Sequence, residues 1–86
     1  MILFDGVHMG TDGTMEELFA EARRIGLKDS DVQRSTLGIL HFDVWGKPAT
    51  LVTINCTKRE FARRAKRLGG RFLRRREIAR AMGGCQ

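Results

Sequence analysis

Two histidines stand in this chain, and each has carboxylates within a few residues of it: His8 lies between Asp5 and Asp12, and His41 lies two residues before Asp43. Imidazole nitrogens combined with carboxylate oxygens bind Mn, Fe or Zn, and a carboxylate near a histidine can instead orient its ring for proton transfer. The candidate catalytic residues are therefore His8, Asp12, His41 and Asp43. The candidate metal ligands are Asp5, His8, His41 and Asp43, with a divalent metal ion as the candidate cofactor. Acting on a phosphodiester, such a centre would polarise a phosphoryl oxygen or generate hydroxide. The plainer alternative is a His41–Asp43 surface pair on an exposed sheet face, with His8 and Asp12 serving loop hydrogen bonds.

For the sharper alternative to hold, the elements must bring His8 to His41. Segment 6–13 has three glycines in eight residues, enough freedom to carry His8 over a sheet edge. The expectation is that the two rings lie within one ion's reach, with Asp43 or Asp12 hydrogen-bonded behind one of them.

Caps and periodicity supply the framework. Ile2–Asp5 is a short apolar run ended by Gly6 and reads as a strand. Thr14 with Glu17 forms a capping box ahead of Met15, Leu18, Phe19, Ala22 and Ile25, which recur at helical spacing, and Gly26 ends the helix with Leu27 folding back onto Ala22. Residues 28–35 are turn-like. Residues 36–55 read as a hairpin turning at Gly46-Lys47-Pro48, with Leu40, Phe42 and Val44 on one face and Ile39, His41 and Asp43 on the other. Thr57 and Glu60 open a second helix, with Phe61, Ala62, Ala65 and Leu68 as its apolar stripe and Gly69-Gly70 at its end. A brief strand at Arg71–Leu73 and a last helix carrying Ile78, Ala81 and Met82 inward complete the chain.

That order predicts an α+β fold: a ferredoxin-like β-α-β-β-α-β sheet with both helices on one face, plus a short C-terminal helix. At 86 residues the chain suits a single compact domain spanning 1–86. An open sheet face bearing Ile39, Trp45 and Leu51 predicts a symmetric homodimer.

Charge is distributed unevenly. Residues 1–57 hold five Lys/Arg against eight Asp/Glu, whereas residues 58–86 hold eleven against two. A basic block with so few interleaved acids is the footprint of a polyanion contact. Arg59, Arg63, Lys66 and Arg67 are expected on one sector of the second helix, with Arg74, Arg75 and Arg76 entering the last, and together they are the candidate nucleic-acid-binding residues. The lack of Tyr and the core placement of Phe19, Phe42 and Phe61 leave Trp45 as the one aromatic for base stacking. Walker, Rossmann and nucleophile-elbow signatures are absent. Cys56 and Cys85 lack metal-type spacing, and the opening residues read neither as a secretory leader nor as a membrane span, so the expectation is a cytoplasmic protein with free thiols.

The stretch "HMGTDGTMEELFAEARRIGL", followed by Gln33, "HFD" and a basic helix ending in Gly, resembles a family of small phage and bacterial proteins of unknown function. The resemblance is close over residues 8–27 and 41–43. It implies that His8, Asp12, Glu17, Gln33, His41 and Asp43 fall on the family's polar signature, and it implies positions rather than an activity.

Three functions follow as expectations. The first is binding of nucleic acid or another polyanion through the Arg-rich segment 58–86. The second is a metal-dependent phosphodiesterase or nuclease built on the His/Asp site. The third is a phage-type interaction protein that docks an acidic protein surface or inhibits a host complex.

Overall fold

The computed structural model describes residues 1–67. The expected strand at Arg71–Leu73, the last helix with Arg74, Arg75 and Arg76, and Cys85 lie outside the described residues. Within 1–67 the fold is α+β. Strands β1 (Ile2–Phe4), β2 (His8–Thr11), β3 (Gln33–Arg34) and β4 (Leu40–Asp43) form one antiparallel sheet in the order β1-β2-β4-β3, with helices α1 (Met15–Arg24) and α2 (Lys58–Arg64). No helix among these residues is long and apolar enough to cross a membrane.

The helix starts and stops follow their local chemistry. Thr14 accepts from the Glu17 amide, and α1 ends in a Schellman arrangement, with Gly26 at φ 94° and the Leu27 amide donating to the Ala22 carbonyl at 2.9 Å. The expected capping box is only half made here, because the Glu17 carboxylate turns instead to the Thr11 hydroxyl and the Met1 amino group. At α2 both halves are present, with Thr57 and Glu60 each bonded to the other's backbone N–H.

Sequence and structure part at four places. Segment 6–13 is not a loop: Asp5, Gly6 and Val7 form a tight turn, and β2 follows at once, pairing Leu3 with Gly10 and Phe4 with Met9. The second hairpin arm is not a strand. Pro48–Leu51 forms a 3-10 turn, with the amides of Ala49 and Thr50 donating to the Gly46 and Lys47 carbonyls. Ala49 and Val52, three residues apart, both pack on the core, which is helical rather than strand spacing. The actual hairpin is β3–β4, turning through Ser35 to Gly38, where Gly38 adopts φ 81°.

The helices also lie on opposite faces rather than on one. Phe4, Met9, Leu40 and Phe42 join Leu18, Phe19 and Ala22 of α1, whereas Leu3 and Ile39 join Phe61 of α2 and Ala65 just beyond it. Since neighbours along a strand alternate sides, the sheet is held between the two helices. Ile39 is buried beneath α2, so of the residues on which a homodimer was expected only Trp45 and Leu51 stay exposed. Close approach is possible because residue 10 is glycine: a Cβ there would stand 2.8 Å from Phe61 Cζ.

Lastly, α2 stops at Arg64. The backbone becomes extended at Ala65, the Lys66 amide donates to the Thr11 carbonyl instead of continuing the helix, and Arg67 bridges Ile39. The Ala62 carbonyl left over at the helix end accepts from the Arg67 guanidinium at 3.1 Å. Lys66 and Arg67 therefore do not share a helical sector with Arg59 and Arg63.

Candidate His/Asp site

Strand register assembles the site. His8 sits directly across from Asp43 in the β2–β4 pair, and His41 is two residues before Asp43 on the same face. A direct pair and a diagonal pair of this kind put side chains within contact. The His8 and His41 ring centroids are 5.5 Å apart, edge to face, and Phe61 of α2 lies 5.8 Å from the His8 ring.

Both rings are fixed from behind through Nδ1. His8 Nδ1 lies 2.8 Å from Asp5 Oδ2, and Asp5 Oδ1 accepts from the amides of Val7 and His8. Burial pushes the Asp5 carboxyl up, but the hydrogen bonds from the His8 amide, the His8 ring and the Val7 amide outweigh it, and the net shift is below the ordinary 3.8. Asp5 is thus an ionised acceptor and His8 Nδ1 carries the proton. His41 Nδ1 lies 3.1 Å from the Ile39 carbonyl, which can only accept, so His41 Nδ1 is protonated as well.

That leaves the two Nε2 atoms facing one oxygen. Asp43 Oδ1 lies 3.4 Å from His41 Nε2 and 4.0 Å from His8 Nε2. It is buried and accepts no hydrogen bond within the described residues. A buried carboxylate oxygen without a donor is costly. Among the described residues no group of three or more His, Cys, Asp and Glu side chains is placed to hold a metal ion.

A pocket of about 280 Å³ opens beside the imidazoles, walled by Asp5, His8, His41, Lys58 and Phe61 and by the Ser35–Leu37 turn. On the far side Asp43 borders a second hollow of about 430 Å³ with Gln33, Trp45 and Pro48. Trp45 is 71% exposed there, which keeps its ring available for stacking.

Of the residues singled out from sequence, the structure brings together Asp5, His8, His41 and Asp43. Gln33 pairs with His41 across β3–β4. Asp12 is elsewhere: it is bound to the Met1 amino group at 3.1 Å and to Arg64 at 3.2 Å, which in that order hold its carboxyl below the usual range. Asp5, not Asp43 or Asp12, is the carboxylate behind a ring. Lys58, absent from the sequence-derived set, lines the pocket; its place at the first turn of α2 was readable, its proximity to His8 was not. Cys56 is buried, and burial first, then the charges of Asp5 and Glu60, push its thiol up, so it stays protonated beside the site.

A pH dependence follows. A carboxylate whose pKa is depressed on folding adds stability above its unfolded value and loses it as pH falls through the folded one. Asp5→Asn should therefore destabilise the protein at neutral pH, and the gap from the parent should shrink as pH is taken below 3.8. Chemical denaturation at a series of pH values checks this; a gap that is unchanged at acid pH would remove the linkage.

Comparison with protein-family models, curated proteins and solved structures found no match to this chain.

Proposed function

We propose that this protein binds nucleic acid through its phosphates, along the outer face of α2 and the basic residues that follow. The observation that carries this is that Lys58, the first residue of the basic helix, lines the same pocket as His8 and His41. A phosphate held by the basic residues therefore lies next to the imidazole pair. Lys58, Arg59, Arg63 and Lys66 are exposed and make no ion pair with a described residue, and Glu60, the one acid among them, is spent on the capping box. Like charges of this density repel one another, and a polyanion relieves that repulsion. Arg64 is committed to Asp12 and Arg67 to the end of α2, so neither is a principal contact. Arg74, Arg75 and Arg76, in the same basic segment, extend the proposed contact.

If about five phosphates are neutralised, log K against log salt should fall with a slope of roughly −4 to −5 on duplex DNA. The triple replacement of Arg59, Arg63 and Lys66 by Ala should make that slope shallower by about 3 and weaken all sequences alike. Fluorescence anisotropy with labelled oligonucleotides measures both. Binding indifferent to salt would defeat the proposal, and equally tight salt-sensitive binding to poly-glutamate would shift it to an acidic protein surface.

One observation favours a second reading, phosphodiester cleavage at the same place: the imidazoles are oriented through Nδ1 with both Nε2 atoms turned to a common point, as acid–base or metal-assisted chemistry requires. Oligonucleotides recovered intact after long incubation with the metal-loaded protein would rule it out.

A further inference from the structure

We propose that His8 Nε2, His41 Nε2 and Asp43 Oδ1 form a binding site for a divalent d-block cation of the zinc type. Asp5 and the Ile39 carbonyl hold the two rings from behind and are not themselves ligands. The inference is independent of nucleic-acid binding.

Three features carry it. Each ring is engaged from behind at Nδ1, which leaves Nε2 as the nitrogen open to a cation, and both Nε2 atoms face Asp43 Oδ1. Metal-bound histidines characteristically donate the other ring N–H to a carboxylate or a backbone carbonyl, and here one ring does each. Asp43 Oδ1 is buried without a hydrogen bond, and a cation at the meeting point of the three atoms removes that penalty.

Spacing supports the same conclusion. With metal–ligand bonds of about 2.0–2.1 Å, ligands at the corners of a tetrahedron stand about 3.3 Å apart. His41 Nε2 and Asp43 Oδ1 are 3.4 Å apart, so that edge is formed; His8 Nε2, at 4.0 Å, must move in. The edge from His8 must shorten by about 0.7 Å, and His8 is the more exposed of the two rings, with its side chain 34% exposed against 10% for His41.

The donor set decides the class of ion. Two imidazoles and one carboxylate suit Zn, Fe or Mn far better than Mg or Ca, which prefer oxygen cages, and no thiolate is offered. Three protein ligands on a tetrahedral ion leave one position for water or a phosphate oxygen, the open arrangement of reactive rather than structural centres.

The test is titration of the full chain, stripped with chelator, with Co²⁺ followed by visible absorption, then displacement by Zn²⁺. One equivalent is expected, with the intense bands of a four-coordinate ion. His8→Asn and Asp43→Asn should each weaken uptake at least 100-fold, and Asp5→Asn, which only loosens a ring, about 10- to 100-fold. Glu16→Gln on the exposed side of α1 should change nothing. His41 is the most buried ligand, so if His41→Asn fails to fold, His8→Asn decides. No stoichiometric uptake by the parent chain, or uptake undiminished in folded His8→Asn and Asp43→Asn, would overturn the proposal.

Discussion

Phe61→Ala is expected to lower the melting temperature by more than about 10 °C, the largest single effect forecast for this protein. Truncating a buried Phe costs about 3–5 kcal/mol, and each kcal/mol is worth roughly 4–8 °C in a domain of this size. Phe61 is 5% exposed and is the main apolar contact of a seven-residue helix with Leu3, Ile39 and Gly10. Its loss also strips one wall from the imidazole pocket. Gly10→Ala should destabilise the parent by about 1–3 kcal/mol, because the new methyl meets the Phe61 ring at 2.8 Å. In the Phe61→Ala background the same methyl enters vacated space, so Gly10→Ala should there be neutral or stabilising. Thermal melts of the four proteins in the cycle measure the coupling; additive effects would mean that the ring and the strand do not meet.

Asn55→Ala should follow in size, at about 2–3 kcal/mol. β1 is an edge strand, and Asn55 covers its open side as a strand residue would: Oδ1 accepts from the Phe4 amide at 2.9 Å, Nδ2 donates to the Ile2 carbonyl at 2.8 Å, and its own amide donates to the Phe4 carbonyl. Alanine keeps only the last of these and leaves a partly buried N–H without a partner. Asn55→Asp keeps the acceptor, loses the donor and sets a charge against the Ile2 carbonyl, so it should fall at or beyond the alanine variant. Urea unfolding of the three proteins checks the order; an alanine variant within about 0.5 kcal/mol of the parent would show that water replaces the amide. The exposed edge should also raise self-association, which light scattering would register.

These two sites show what could and could not be read from the chain. Both helix starts and the end of α1 were legible because a cap is a contract between residues three or four apart, as at Thr14, Gly26 and Thr57, whereas the stop of α2 at Arg64, ahead of the expected Gly69-Gly70, was not. β2 was not, because Gly10 looks like loop chemistry until the Phe61 ring, fifty-one residues on, explains it. Residues 51–55 have a strand's composition, but their task is to deliver Asn55 to β1 after a 3-10 turn that Pro48 begins. β3 has two residues, too few for any periodicity. At the site, the nearness of His8 and His41 was expected, though by loop flexibility; antiparallel register achieves it with less freedom and more precision. The carboxylate behind His8 was misassigned for the same reason, since only the tight Asp5–Val7 turn aims Asp5 at the ring.

Among the described residues the two helices gather clusters of different size. The face under α1 holds nine buried apolar residues and a ten-residue helix, whereas the face under α2 holds five and a seven-residue helix, again among the described residues. Cooperative units with few buried apolar contacts open at lower free energy than the whole fold. Detachment of the α2 layer would unroof His8 and His41 while the α1 half keeps both strands in register. Affinity for anything that bridges α2 to the imidazoles would then include the free energy of closing that layer, so that such a ligand acts as a brace as well as an occupant.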